Sequence, residues 1–64
     1  MNKKLIKNGM TFTTTNGETY LRCEKRVILL DITPDKIKSF ESIKEEDIKH
    51  VFKTNGELYI KEED

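Results

Sequence analysis

The stretch Val27-Ile28-Leu29-Leu30-Asp31-Ile32 contains the only four consecutive apolar residues of the chain. A strand with one wet face alternates apolar and polar residues, whereas successive apolar positions are typical of a strand covered on both faces. We therefore expect residues 27–32 to form a central strand that the other segments surround. Pro34 marks its end, because proline has no N–H to donate to a neighbouring strand.

The glycines on either side of this strand predict an antiparallel meander. Each of the three glycines follows an asparagine, at Asn8-Gly9, Asn16-Gly17 and Asn55-Gly56. Asn-Gly is the strongest short-range hairpin signal, because both residues tolerate the positive φ of a tight turn. Glu24-Lys25 then provides the short link into the central strand.

Two registers are open for the hairpin at Asn16-Gly17. A two-residue loop pairs Phe12 with Leu21 and gathers apolar residues on one face, whereas a three-residue loop pairs Phe12 with Tyr20 and scatters them. We therefore predict the two-residue loop, with Cys23 facing the interior and Tyr20 facing outward. The predicted strands are residues 10–15 and 18–23.

The hairpin at Asn55-Gly56 favours a longer loop. A three-residue loop over residues 54–56 sets Phe52 opposite Leu58, with Gly56 in the left-handed position of a G1 bulge. The same loop sets His50 opposite Ile60. We therefore predict a terminal hairpin with this register.

The segment between these hairpins is ambiguous. Pro34 suits the first position of a helix, and Ser42-Ile43-Lys44-Glu45 has the form of a capping box, but the terminal hairpin needs residues 49–53 as a strand. We predict a short strand or turn at residues 36–41 and one short helical turn near residues 43–47.

These elements predict a mainly β protein in which a small antiparallel meander curves into a partly open barrel of the SH3-like or OB-like kind. A flat sheet packed against one helix is the alternative. We expect residues 1–64 to form a single small domain, with residues 61–64 a frayed acidic tail.

Size and cysteine content place further limits on the chain. A domain of 64 residues buries only roughly 60% of its unfolded surface, so self-association would add useful burial. Cys23 is the only cysteine and cannot form an internal disulfide, which is typical of an intracellular protein. The basic start lacks the apolar run of a signal peptide, and no segment is long enough to cross a bilayer. We expect a cytoplasmic protein without a membrane partner.

The charges divide sharply between the two halves of the chain. Residues 1–30 carry six basic and two acidic residues, a formal charge of +4, whereas residues 31–64 carry six lysines and ten acidic residues, a formal charge of −4. Such asymmetry bears on the choice of partners. Strands from the two halves that alternate in the sheet would bring the opposite charges together and cancel this asymmetry.

Residues suited to catalysis are few. One histidine, one cysteine and two serines do not supply the nucleophile, base and orienting group of a hydrolase, and Cys23 with His50 is the only dyad of that type. The same residues cannot complete a four-ligand zinc shell. We therefore predict a protein that is not an enzyme, with no cofactor and no catalytic, cofactor-binding or metal-binding residues.

Two kinds of macromolecular partner remain open. Tyrosines outside a core are typical of protein interfaces, so we predict a protein interface at Tyr20, Tyr59 and Val51. Basic strands with aromatic platforms bind nucleic acid in small barrels, although a pI near 6.6 is lower than such domains usually show. The candidate nucleic-acid residues are Lys3, Lys4, Lys7, Arg22, Lys25 and Arg26.

The end of the chain carries a resemblance to a known family. Residues 37–60, which end in Lys-Thr-Asn-Gly-Glu-Leu-Tyr-Ile, resemble the small flagellar FlbD-type proteins, in which a short strand precedes a hairpin with Asn-Gly at its turn. The resemblance covers under half of the chain and implies only this strand and hairpin. We take no function from it.

The sequence as a whole favours a non-catalytic interaction or regulatory module. We expect it to bind a larger protein, with homodimerisation through an edge strand or the tyrosine-bearing face as one mode. The lysine, isoleucine and glutamate usage is typical of an AT-rich bacterium or its phage, in which short chains are often regulators or inhibitors. A nucleic-acid-binding small barrel that uses the basic N-terminal half is the alternative.

Overall fold

The computed structural model describes residues 3–30 and 37–61. Residues 60 and 61 are described by their backbone alone. Its strands form one antiparallel sheet in the order β4-β3-β2-β1-β5-β6. The strands are β1 (Thr11–Thr14), β2 (Thr19–Cys23), β3 (Arg26–Leu29), β4 (Ile37–Ser39), β5 (Ile48–Phe52) and β6 (Leu58–Lys61). Isolated 3₁₀ turns occur at Lys3–Leu5, Phe40–Ser42 and Glu45–Asp47.

The sheet confirms the predicted fold class. The described residues are mainly β, and β4 and β6 remain as edge strands because the sheet does not close. The turn Glu45–Asp47 lies where one helical turn was predicted, and β4 falls inside the segment predicted as a short strand. In the described ranges, no helix has the length and apolar character needed to cross a membrane.

The prediction of a doubly covered central strand is wrong. β3 lies next to edge strand β4, and its side chains alternate: Val27 and Leu29 are buried, whereas Ile28 is half-buried. Leu30, which follows β3, is 44% exposed. In the part of the chain that the structure describes, the core covers one face of the sheet, so the successive apolar residues of β3 are not all buried. Asp31, Ile32 and Pro34 lie outside the described residues.

The predicted two-residue loop between β1 and β2 is also wrong. Phe12 pairs with Tyr20, which corresponds to a three-residue loop over residues 15–17. The Thr14 N–H donates to the Glu18 carbonyl over 2.9 Å, and the Gly17 N–H donates to the Thr14 carbonyl over 3.0 Å. Gly17 has a φ of +86°, as the end of such a loop requires.

This register exchanges the two faces of β2, because a shift of one residue turns every side chain over. Tyr20 is 1% exposed, and its ring stacks on Phe12 with 5.6 Å between the ring centroids. Cys23 is exposed and not interior. The predicted orientations of Tyr20 and Cys23 are therefore both wrong.

The terminal hairpin follows the prediction in its loop but not along its whole length. The Lys53 N–H donates to the Glu57 carbonyl over 2.7 Å, and Phe52 pairs with Leu58, as a loop of residues 54–56 requires. A bulge then follows, so that Ile60 pairs with Val51 and not with His50. β6 extends to Lys61, while residues 62–64 of the predicted tail lie outside the described residues.

Four core residues come from outside the strands and cover one face of the sheet. Asn8-Gly9 forms a turn that leads from the first 3₁₀ turn into β1, and the Gly9 N–H donates to the Arg22 carbonyl over 2.9 Å. This connection brings Ile6 into the core. The core comprises Ile6, Met10, Phe12, Tyr20, Val27, Leu29, Phe40, Ile43, Ile48 and Val51.

Candidate functional site

The face of the sheet opposite the core carries a continuous row of side chains that crosses all six strands. Residues paired across neighbouring antiparallel strands point to the same side of a sheet. The pairs run from Leu58 to Phe52, then through Thr11, Leu21 and Ile28 to Ile37. We call these six residues the outer row: Leu58, Phe52, Thr11, Leu21, Ile28 and Ile37.

The outer row is apolar at five of its six positions and carries no charge. Ile37 and Leu58, on the two edge strands, are 56% and 50% exposed, and the four residues between them are half-buried. The strand alternation explains this placement: Phe12 and Val51 enter the core, so their neighbours Thr11 and Phe52 point outward. The outer row is therefore a mostly apolar surface on the face of the sheet opposite the core.

Sequence reasoning missed this surface because the predicted register placed Leu21 inside. The signal that could have revealed it is Gly17, which suits the last position of a three-residue loop as well as Gly56 does. That register puts Leu21 beside Thr11, and Ile28 then continues the row through its pair with Leu21.

Two of the three predicted interface residues lie in the core. Tyr20 is 1% exposed and Val51 is 0% exposed, so neither side chain is available to a partner in this fold. Tyr59 is 45% exposed. It occupies the bulge of β6 and lines a cavity of about 320 Å³ with Leu5 and Met10 among the other lining residues.

The hydroxyl of Tyr20 is satisfied at the edge of the core. It donates to Glu18 Oε1 over 2.9 Å, and Lys38 Nζ lies 5.7 Å from the centroid of the tyrosine ring. Burial raises the pKa of Tyr20 above its ordinary value of 10.0, and the hydrogen bond to Glu18 raises it further, against a lowering effect of Lys38. The hydrogen bond to Tyr20 raises the pKa of Lys38.

Two of the predicted nucleic-acid residues flank a core ring. Lys3 Nζ lies 4.6 Å and Arg22 Cζ 4.1 Å from the centroid of Phe40. The Arg22 guanidinium also donates to the carbonyls of Ile6 and Glu24, the second over 2.8 Å. Arg22 therefore joins the β2–β3 hairpin to the segment before β1.

Three of the predicted basic residues, Arg22, Lys25 and Arg26, line one cavity of about 710 Å³ at the β2–β3 hairpin, and Lys4 and Lys7 do not line it. Arg26 is exposed and pairs with Cys23, which places it on the outer face, while Lys25 lines a cavity beside Phe40. Lys7 lines the cavity at Tyr59. Lys4 lies in the first 3₁₀ turn. The structure does not bring the six residues together into one basic surface.

Comparisons of the chain with protein-family models, with curated proteins and with solved structures found no match. The geometry of the described residues is thus the evidence for the site.

The residues suited to chemistry are held apart. Cys23 is at the end of β2 and His50 is in β5, with β1 between these two strands. His50 Nδ1 lies 3.4 Å from Thr13 Oγ1, and the His50 backbone N–H donates to the same oxygen over 3.2 Å. Among the described residues, no group of three or more histidine, cysteine, aspartate or glutamate side chains could hold a metal ion.

Proposed function

We propose that this chain is a non-catalytic protein-interaction module that binds through the outer row. The observation that carries the proposal is the row itself, with five apolar side chains in register across six strands on the face away from the core. Contiguous exposed apolar surface is typical of protein contacts, and the centre of such contacts is depleted of charge.

The uncharged outer row favours a protein over a nucleic acid as its partner, although Arg22, Lys25 and Arg26 share one cavity beside it. Nucleic-acid binding draws on phosphate contacts from a basic face. Lys3 and Arg22 are engaged around Phe40, and Arg26 lies at the margin of an otherwise uncharged outer row. The uncharged row supports apolar recognition.

The finer part of the proposal is a cytoplasmic regulator or inhibitor of a larger protein, of bacterial or phage origin. The single cysteine supports a reducing compartment. A module of this kind would act by occupying a surface of its target, because binding through the row uses no reactive group.

Retention of a partner by outer-row variants tests the proposal. Leu21→Glu places a charge at the centre of the row, whereas Leu5→Glu makes the same change at a residue that lines the Tyr59 cavity. Circular dichroism first verifies that each tagged variant is folded. Each variant is then incubated with lysate of the organism that encodes the chain, with and without nuclease.

We expect wild type and Leu5→Glu to retain the same protein in the presence of nuclease, and Leu21→Glu to lose it. Equal retention by Leu21→Glu would show that the row is not the contact. Loss of all retention on nuclease treatment would select the nucleic-acid alternative.

A further inference from the structure

We infer that the outer row, when no target is bound, is occupied by a second copy of this chain, packed face to face as a two-fold homodimer. This inference rests on the proposed function, because the homodimer and the target use the same surface and therefore compete for it. Three features support the homodimer: the position of the core, the charge of the row and the area of the face.

Among residues 3–30 and 37–61, the core covers one face of the sheet. Ile6, Met10, Phe40 and Ile43 reach the inner face from segments outside the strands and pack with the strand residues of the core. The outer row has no such layer among the described residues. A second sheet can cover an apolar sheet face, at a spacing of about 10 Å.

The charges permit contact between two identical faces. In a two-fold interface the same patch meets itself, so a charged residue near the axis would face its own copy. The outer row carries no charge, and the whole chain has a formal charge of zero, so no repulsion arises at the centre of the contact or between the chains overall. On the same face, Arg26 lies to one side of the row and His50 to the other, away from its centre.

The area of the face suits a weak, reversible dimer. Six strands spaced about 4.8 Å apart and three to five residues long form a face about 24 Å wide and about 14 Å deep. Protruding side chains add to that flat area, so two facing copies remove on the order of 1,000 Å² from water, the lower bound for a specific interface. We therefore expect a dissociation constant in the micromolar range.

Sedimentation equilibrium tests the dimer, and NMR dilution locates its contact. We expect wild type to pass from monomer to dimer between about 1 µM and about 1 mM. Leu21→Glu should raise the dissociation constant about tenfold or more, because it buries a charge without a partner at the centre of the contact. Leu5→Glu should leave the dissociation constant unchanged.

The NMR experiment follows backbone amide shifts of wild type on dilution. Shifts concentrated at Thr11, Leu21, Ile28 and Phe52 support the face-to-face dimer. A wild type that stays monomeric at 1 mM, or a dimer whose shifts cluster on edge strand β4 or at the Tyr59 cavity, overturns it. Ile28→Glu provides a second variant if Leu21→Glu does not fold.

The two hypotheses fail in different ways. If wild type is monomeric and Leu21→Glu still abolishes capture of another protein, the proposed function stands and the homodimer is wrong. If wild type dimerises through the row and captures no further protein, the homodimer stands and the regulatory part of the proposed function is wrong.

Discussion

Glu24 has a φ of +60°, in the left-handed region that glycine occupies without cost. It is the first residue of the two-residue turn between β2 and β3, and its backbone is held from two sides. The Glu24 N–H donates to Asn8 Oδ1 over 2.8 Å, and its carbonyl accepts from Arg22 Nε over 2.8 Å. Neither contact uses the glutamate side chain, so the side chain contributes strain at this position.

We predict that Glu24→Gly stabilises the protein. Removal of the Cβ relieves the strain of the left-handed conformation, whereas the greater entropy of glycine in the unfolded chain offsets part of that gain. We therefore expect the free energy of unfolding to rise by about 0.5 to 1 kcal/mol. Lys25→Gly is the matched control, since Lys25 does not have a positive φ and should lose stability. Urea unfolding followed by circular dichroism measures both, and a less stable Glu24→Gly would contradict the prediction.

Tyr20 provides a second prediction at the scale of one residue. Its raised pKa means that the folded state keeps the phenolic proton where the unfolded state has begun to release it. The stabilisation that protonated Tyr20 contributes is therefore complete below pH 10 and is lost as the pH rises through the pKa of Tyr20 in the folded state. We expect the free energy of unfolding of wild type to fall above pH 10, and that of Tyr20→Phe to fall less.

The Tyr59→Phe variant allows a direct measurement, because Tyr20 is then the only tyrosine. We expect its ultraviolet absorbance titration to have a midpoint above 10.0, the ordinary pKa of tyrosine. Adding Glu18→Gln should lower that midpoint, since it removes the carboxylate that accepts the hydrogen bond from the Tyr20 hydroxyl. A midpoint at or below 10.0 in the folded protein would refute the assignment.

At the scale of elements, Arg22 connects three parts of the fold. Its guanidinium lies over Phe40 in the second 3₁₀ turn, and it donates to Ile6 before β1 and to Glu24 in the β2–β3 turn. The planar fork of arginine can make these contacts together, whereas the single ammonium of lysine cannot. The hairpin and the segment before β1 are thus joined through one side chain.

We predict that Arg22→Lys lowers the free energy of unfolding by about 1 to 2 kcal/mol, through lost hydrogen bonds and lost stacking on Phe40. Arg26→Lys keeps the charge at an exposed position and should change stability by less than about 0.5 kcal/mol. Thermal unfolding of the two variants makes the comparison. Equal stability of the two would show that the contacts of Arg22 contribute little.

Elements also show how far the sequence could predict this fold. Turn chemistry predicted the hairpins at Asn16-Gly17 and Asn55-Gly56, the mainly β class and the loop of residues 54–56, because glycine requirements are local. The hairpin predicted at Asn8-Gly9 is wrong, since a 3₁₀ turn and not a strand precedes this turn. The register at Gly17 depended on whether Tyr20 counted as a core residue. An amphipathic ring with a reachable hydrogen-bond partner, Glu18, can be buried, and that partner is visible only in three dimensions. The same register determines the outer row.

At the scale of the whole molecule, the structure is an open sheet with its core on one face. Binding that involves only the folded state raises the apparent stability by mass action. A homodimer through the outer row therefore makes stability depend on protein concentration. A monomeric fold has no such dependence.

We predict that the melting temperature of wild type rises by several degrees between about 5 µM and about 500 µM, when the dimer becomes populated. Leu21→Glu should show a smaller rise in melting temperature across this range, and Leu5→Glu should follow wild type. Differential scanning fluorimetry or calorimetry gives the measurement. A concentration-independent wild type would count against the dimer.

The exposure of Cys23 makes this chain a convenient subject for labelling. It is the only cysteine, so a maleimide dye would attach at one site without any engineered substitution. Cys23 pairs with Arg26 directly beside the pair Leu21–Ile28. A fluorophore there would report on occupancy of the apolar face from its margin, while the outer row itself keeps its native side chains.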